Sequence, residues 1–133
     1  MRFIDSNVFV YHLAGDPQYG KRATGILESV ENGEETVTST LAIAQVCGYL
    51  RWKKREKAIP VFLGLVRGLT SLRKIETQFI DFAEATDLQR ESRLPWKEWD
   101  DLVIAAQMKR LGVSEIYSRD SDFDAIPQIK RIF

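Results

Sequence analysis

Five short apolar or β-branched segments alternate with helical segments along the 133 residues of the chain, and this alternation restricts the fold more than any other feature. Strands are predicted at residues 2–7 (stopping on Asp5), Thr36–Ser39, 72–77, 115–118 and 128–133. The connections between them are long enough for crossovers. We therefore expect an α/β fold, with one domain over residues 1–133 and a central, mostly parallel sheet of about five strands covered by helices on both faces.

Helices are predicted between the strands from apolar residues spaced three and four positions apart. The predicted helices cover residues 8–13, 18–30, 40–50, 59–69, 79–91 and 102–111. Ser39 or Thr40 is expected to cap the third helix, and Gly112 is expected to end the last one. The last helix begins with an unbroken apolar run over residues 102–106.

The charge composition limits the kind of partner. Lys plus Arg and Asp plus Glu both number 19, which argues against a protein that grips nucleic acid over a wide basic face. One local basic cluster remains, beside Trp52, and it consists of Arg51, Lys53, Lys54 and Arg55. Two interpretations of it stay open. It is either a solvated helix end favoured by the helix dipole or a surface that contacts phosphates.

The single cysteine and the single histidine exclude several kinds of chemistry. Cys47 cannot form an internal disulfide, and its apolar helical surroundings are typical of a buried thiol. His12 would have to serve any Ser-His-Asp or Cys-His relay, but no nucleophile motif accompanies it. A zinc site of the usual Cys/His kind is excluded by residue count.

The chain shows no sign of secretion or membrane insertion. Asp5 interrupts the apolar N-terminus, so no secretory signal is predicted. The most apolar stretch, residues 61–69, contains Arg67 and is too short to span a bilayer. We expect a soluble, cytoplasmic protein with no membrane partner.

Acidic residues follow the predicted strands at positions that can meet. Asp5 ends the first strand, and Asp120 and Asp122 follow the fourth within a few residues. Asp101 opens the hydrophobic helix, and a right-handed crossover places the start of that helix at the carboxyl side of the sheet. In open α/β sheets the ligand crevice lies at this edge. We therefore expect carboxylates from these three stretches to lie close together.

Converging carboxylates suggest a cation, although simpler roles stay open. Like charges raise one another's pKa values unless a cation compensates them. Several hard oxygen ligands suit Mg²⁺ or Mn²⁺, which can activate water and neutralise a phosphodiester. Alternatively, Asp5 is a turn residue or helix cap, Asp100 or Asp101 is an N-cap, and the aspartates after the fourth strand form a turn.

Three stretches of the chain resemble the motifs of PIN domains, in particular those of the VapC-type toxins of prokaryotic toxin–antitoxin pairs. They are residues 3–7 (Phe-Ile-Asp-Ser-Asn), 101–106 (Asp-Leu-Val-Ile-Ala-Ala) and 116–123 (Ile-Tyr-Ser-Arg-Asp-Ser-Asp-Phe). The resemblance extends from residue 2 to the last strand. The hydroxyl residue and the Asp-x-Asp-Phe pattern after a strand form the more specific signal.

This resemblance implies a Mg²⁺- or Mn²⁺-dependent endoribonuclease that cleaves RNA phosphodiester bonds with a metal-activated water. It also implies that an antitoxin protein silences the enzyme and that the chain is a homodimer. By position, Asp5, Asp101 and Asp120 match the metal-binding residues, and Asp122 matches an additional catalytic aspartate. Asn7 and Ser118 match supporting polar residues. Candidates for RNA contact are Arg51, Lys53, Lys54, Arg55 and Arg119.

Gln45 departs from the family pattern. It stands on the helix after the second strand, where the family normally has a glutamate. An amide oxygen can bind a cation but carries no charge and cannot act as a base, so the resemblance implies weaker metal binding and leaves a second metal open. The alternative function is therefore a catalytically weakened PIN-fold module that binds RNA or a protein.

Two further expectations concern a competing fold and a surface. A receiver-type signalling domain is disfavoured, because the middle strand ends in Glu76-Thr77 and Lys130 lies inside the last strand. An apolar cluster is predicted to serve dimerisation, antitoxin docking or ordinary core packing, and its members are Trp52, Phe62, Leu63 and Val66.

Overall fold

A parallel β-sheet forms the centre of the molecule. The computed structural model describes residues 1–133. Its strands are β1 (Arg2–Ile4), β2 (Thr36–Ser39), β3 (Leu72–Ile75), β4 (Glu115–Tyr117) and β5 (Lys130–Arg131). They pair in the order β3-β2-β1-β4-β5, and all four pairings are parallel. Because β1 is the central strand, the residue that follows it lies in the middle of the carboxyl edge.

Six α-helices and two short 3₁₀ helices connect the strands. The α-helices are α1 (Ser6–Ala14), α2 (Gly20–Glu31), α3 (Thr40–Trp52), α4 (Ala58–Gly68), α5 (Phe79–Ser92) and α6 (Trp99–Leu111). The 3₁₀ helices, named η1 and η2 below, are Trp96–Glu98 and Ser121–Ala125. None of the helices combines the length and the apolar character needed to cross a membrane. Ser39 caps α3, since its hydroxyl accepts the Ala42 N–H.

The first and last strands are shorter than the sequence pattern predicts. The backbone becomes helical directly after Asp5, whose side chain accepts the N–H of Ser6, so α1 begins at Ser6 rather than at Val8. At the other end, Gln128 has a positive φ of 67°, which is incompatible with extended backbone, and only Lys130–Arg131 pairs with β4. Local backbone conformations that hydrophobic periodicity does not encode therefore set these two boundaries.

Helices cover both faces of the sheet, as expected from the alternation. Phe3 and Ile4 are both fully buried and, as neighbours on a strand, point to opposite faces. Phe3 belongs to the apolar core under α5 and α6, whereas Ile4 belongs to the core formed with α1, α2, α3 and α4. The predicted α/β fold with a parallel sheet and two helical layers is confirmed.

The apolar cluster predicted around α4 divides between core and surface. Phe62 and Val66 are buried in the core shared with α1 and α2. Leu63 is 44% exposed and Trp52 is 74% exposed. Core packing therefore accounts for one half of this cluster, and the other half is solvent-accessible.

A buried ion pair fixes α6 to α5 and to the end of β3. Asp81 is 1% exposed and accepts hydrogen bonds from Nε (2.7 Å) and Nη2 (2.9 Å) of Arg110. It also accepts the N–H of Gln78 at 2.8 Å, which closes the first turn of α5. Arg110 Nη2 lies 3.3 Å from the carbonyl of Glu76, beyond β3. This pair anchors one end of α6, and the opposite end of the same helix carries Asp101.

Removing the cation of this pair should destabilise the fold. Arg110→Ala leaves the buried Asp81 carboxylate without its bidentate partner, and we expect a loss of roughly 2 to 3 kcal/mol in the free energy of unfolding. Urea unfolding monitored by circular dichroism measures this loss. Arg90→Ala is the matched control, because Arg90 forms only an exposed pair with Asp87 on α5. Equal stability of the two variants would contradict the assignment.

Candidate metal-binding active site

Asp5 lies at the carboxyl end of β1 with both of its carboxylate oxygens hydrogen-bonded. It is 4% exposed, and its backbone N–H donates to Tyr117 O at 3.1 Å, which continues the pairing of β1 with β4. Oδ1 accepts the N–H of Ser6 at 2.8 Å, and Oδ2 accepts the hydroxyl of Ser118 at 2.6 Å. Asp5 therefore caps α1 and also presents a carboxylate at the middle of the sheet edge.

Ser118 connects three parts of this edge. Its hydroxyl oxygen is fully buried, donates to Asp5, and accepts hydrogen bonds from Asn7 Nδ2 (3.2 Å) and from the Asp120 N–H (3.0 Å). Asn7 Oδ1 also accepts the N–H of Arg119 at 3.4 Å. Asn7 and Ser118 thus lie where the sequence analysis expects supporting residues, and they hold the loop after β4 against the start of α1.

Four carboxylates gather next to Asp5. One carboxylate oxygen from each of Glu98, Asp101, Asp120 and Asp122 lies within 4.8 Å of the others. Glu98 comes from η1, Asp101 from the first turn of α6, and the other two from the start of η2. Asp5 is outside this group of four, which we call the acidic cluster. The predicted convergence of Asp101, Asp120 and Asp122 is present in the structure, and Asp5 stands beside it.

The simpler roles considered for these aspartates apply only in part. Because α6 begins at Trp99, neither Asp100 nor Asp101 is its N-cap. Asp101 lies in the first turn, where the helix dipole favours a negative charge. Asp120 does cap a turn, since its Oδ1 accepts the N–H of Asp122 at 3.0 Å. That bond orients Asp120 and still leaves it within the acidic cluster.

Burial and mutual repulsion raise the pKa values of these groups. Burial raises the pKa of Asp5 from 3.8 to about 6, opposed by the hydrogen bonds from Ser118 and Ser6. The pKa of Asp101 is raised well above its usual range, first by burial and then by Asp120 and its other acidic neighbours. The Glu98 carboxyl is the main cause of the raised pKa of Asp122.

The charges of the site have almost no cationic partner within the protein. No ion pair of the structure involves Asp5, Asp101, Asp120 or Asp122, and the sole ion pair of Glu98 is a 4.0 Å contact with Lys97. The donor set consists entirely of carboxylates. Their spacing suits a single hard cation, whose oxygen ligands lie about 2.0–2.6 Å away. The residues present therefore fit Mg²⁺ or Mn²⁺.

Gln45 binds a residue outside the acidic cluster. It is half-buried on α3, and its Nε2 donates to Oδ2 of Asp100 at 3.0 Å. Its Oε1 is buried and has no hydrogen-bond partner. The amide thus joins α3 to the start of α6 and adds no charge to the site.

Arg119 is held inside the molecule. Its guanidinium donates to the carbonyl of Phe133 at 3.0 Å and to the Tyr19 hydroxyl at 3.2 Å, and it lies 4.4 Å from the centroid of the Tyr19 ring. In this conformation Arg119 stabilises the C-terminal segment. An RNA contact by Arg119 stays a prediction, and it would require these bonds to be exchanged.

The basic cluster at the end of α3 is exposed and lies beside a groove. Arg51, Lys53, Lys54 and Arg55 are all exposed, and none forms an ion pair. Two adjoining cavities of about 300 and 340 Å³ share Val10, Ala14 and Tyr49. Lys53 and Arg55 line the first, and Ser6, Asn7 and Gln45 line the second. These two neighbouring cavities, called the groove below, lie between the basic residues and the residues next to Asp5.

Glu98 is the one residue of the acidic cluster that the sequence analysis misses. The signal was its position three residues before Asp101, directly ahead of the helix. At that spacing two side chains share a helix face. The η1 turn after Pro95 extends the helical path by one turn, and this extension brings Glu98 above Asp101.

The PIN domain model matches residues 2–129, which is nearly the whole chain. The chain belongs to the PIN domain family. No curated protein matches it.

Several solved structures share the fold of this PIN domain. The sarcin-ricin loop cleaving toxin VapC20 of Mycobacterium tuberculosis superposes with a TM-score of 0.78 at 17% identity, covering 97% of this chain and 98% of that one. The VapBC2 structure of Rickettsia felis, bound to a promoter DNA fragment, gives 0.73 at 16% identity, covering 98% and 96%. FitAcB of Neisseria gonorrhoeae gives 0.72 at 20% identity, covering 100% and 97%.

The stability of the metal-free protein should fall as the pH rises. The raised pKa values of Asp5 and Asp101 mean that the folded state binds more protons than the unfolded state above pH 3.8. The contribution of the protonated Asp5 and Asp101 to the stability of the fold is fully present below pH 3.8. It is lost as the pH rises through about 6 for Asp5 and through a higher pH for Asp101. Urea unfolding in EDTA from pH 4 to 8 measures the slope. Asp101→Asn should flatten it, and a wild-type stability that increases over this range would contradict the assignment.

Ser118 should contribute more to the stability of the fold than an exposed serine of the same loop. Ser118→Ala leaves Oδ2 of Asp5 and the Asp120 N–H without their partner, and we expect a loss of about 1–3 kcal/mol in unfolding free energy. Thermal or urea unfolding measures it, with Ser121→Ala on η2 as the control. Wild-type stability of Ser118→Ala would show that this hydroxyl does not hold the edge together.

Proposed function

We propose that this PIN domain is a Mg²⁺- or Mn²⁺-dependent endoribonuclease and the toxin of a toxin–antitoxin pair. The observation that carries the proposal is the acidic cluster, whose carboxylates converge beside Asp5 with almost no cationic partner in the protein. Membership in the PIN family supports a nuclease. The cleft at the carboxyl edge is where α/β folds place their ligands.

The residues of the site have different proposed roles, which follow from their surroundings. Asp101 and Asp120 would hold the cation, together with Asp5, whose carboxylate is oriented by the Ser118 hydroxyl. A divalent cation there supplies Lewis-acid chemistry, which makes water a better nucleophile and neutralises phosphate charge. Asp122 is less buried than Asp101 and would orient the attacking water or accept its proton. The carboxylates alone would repel an RNA backbone, and a cation held by them would remove this repulsion.

RNA binding is assigned to the groove and its basic end. Lys53 and Arg55 line this groove, and Arg51 and Lys54 flank it. Cations without acidic partners suit phosphate contacts, and Trp52, with the Nζ of Lys53 4.8 Å from its ring centroid, offers a face for base stacking.

Protein partners are part of the same proposal. Toxin–antitoxin assemblies, including a Klebsiella pneumoniae complex at a TM-score of 0.67, share the fold of this chain. We therefore assign this chain an antitoxin as its inhibitor, a homodimeric state and a cytoplasmic location. The exposed side chains of Leu63 on α4 and Phe79 on α5 supply apolar surface for such contacts.

The second candidate function is a PIN-fold module that binds RNA or protein without cleaving it. Gln45 favours it, because the amide bonds to Asp100 and brings no negative charge to the site. This module would bind Mn²⁺ only at millimolar concentration or not at all. Calorimetric titration of Mn²⁺ into the pure protein separates the two candidates.

Asp5→Asn should abolish cleavage of RNA. The amide keeps the size of the side chain but removes the charge beside the acidic cluster, and we expect the rate to fall about a hundredfold or more. Cleavage of total RNA in Mg²⁺ or Mn²⁺ provides the measurement. Asp87→Asn, on the exposed face of α5, is the control and should cleave like the wild type. Undiminished cleavage by Asp5→Asn would overturn the assigned role of Asp5.

A further inference from the structure

Glu98 lies outside the three stretches that resemble PIN domain motifs. It ends η1, its side chain is 22% exposed, and one of its carboxylate oxygens lies within 4.8 Å of the ligand oxygens of Asp101, Asp120 and Asp122. The Glu98 and Asp122 carboxyls contact each other, and this contact is the main cause of the raised pKa of Asp122. A surface glutamate free to turn to solvent has no reason to lie among three other carboxylates.

Pairing with a cationic side chain does not explain this position. The only ion pair of Glu98 is with Lys97, whose Nζ is 4.0 Å away and whose side chain is 78% exposed. An exposed pair at this separation contributes little, because water and salt screen it. Glu98 therefore gains no adequate compensation from the protein itself.

Asp101 provides an independent indication that a ligand belongs at this point. It is more than nine-tenths buried, at 8% exposure, and it lies at the centre of the site. No hydrogen-bond donor of the protein reaches its carboxylate, in contrast to that of Asp5, which accepts three hydrogen bonds. A buried carboxylate without a donor is costly unless something outside the protein binds it.

The charge contributed by Glu98 corresponds to the charge missing at Gln45. The Gln45 side chain is neutral and donates to Asp100 from α3, so α3 supplies no carboxylate to the site. Glu98 approaches from η1 and α6 instead. We propose that Glu98 is a direct ligand of the divalent cation and restores the negative charge that Gln45 lacks. This inference rests on the proposed metal-dependent function and concerns which residues bind the metal.

The test uses Mn²⁺ alone as the probe and measures binding without any RNA. Glu98→Gln should weaken Mn²⁺ binding roughly tenfold or more in calorimetric titration, since it removes one charged oxygen ligand. In EDTA the same variant should melt a few degrees above the wild type, because it relieves repulsion with Asp101 and Asp122. The increase in melting temperature on adding Mn²⁺ should be smaller than in the wild type. A glutamate with only a packing role would not produce this pair of opposite effects.

Three variants make the outcome decisive. Glu91→Gln, on an exposed part of α5, should match the wild type in both measurements. Glu98→Asp should retain more affinity than Glu98→Gln. Normal Mn²⁺ binding by Glu98→Gln, together with weakened binding by Asp101→Asn, would overturn the role of Glu98 and leave the proposed function standing. Failure of the wild type to bind Mn²⁺ would overturn both.

Discussion

Repulsion between carboxylates at the end of the central strand is the interaction on which the rest of this structure depends. The ligand oxygens of Glu98, Asp101, Asp120 and Asp122 lie within 4.8 Å of one another beside the buried Asp5. Lys97 is the only cationic residue that forms an ion pair with any of these carboxylates. Such an arrangement is unfavourable for an isolated chain, since both burial and like charge oppose ionisation. Its persistence in a small fold is expected where function requires the strain, and in the proposed function a bound divalent cation would offset the repulsion.

The surrounding fold holds this arrangement with fixed hydrogen bonds and packed helices. Ser118 joins the first strand to the loop after the fourth through one buried hydroxyl, so Asp5 and Asp120 cannot move apart independently. At the far end of α6, the Asp81–Arg110 pair fixes the helix that carries Asp101. The site is therefore built from rigid elements, and these limit how far its carboxylates can separate when no cation is bound.

Much of the fold and part of the site followed from sequence patterns, and the exceptions have identifiable causes. Alternating strands and helices predicted the parallel sheet, because crossover geometry permits few other arrangements. Strand ends were misplaced where a side-chain cap at Asp5 or the positive φ of Gln128 changed the backbone path. The spacing of Glu98 and Asp101 indicates a shared helix face, but the proximity of Glu98 to Asp122 depends on how η1 and η2 pack against α6, which no local pattern records.

The sequence by itself determined the order of elements, the two-faced core and the motifs that identify a PIN domain. Each of these follows from the hydrophobic period or from residues within a few positions of one another. Only the tertiary structure decided that Glu98 joins the acidic cluster, that Gln45 bonds to Asp100, and that Arg119 is tied to Phe133. These contacts join residues that packing brings together, and the whole fold sets the distances between them. For Asp5, the sequence determined its place at the end of the first strand, and the tertiary structure determined which carboxylates lie beside it.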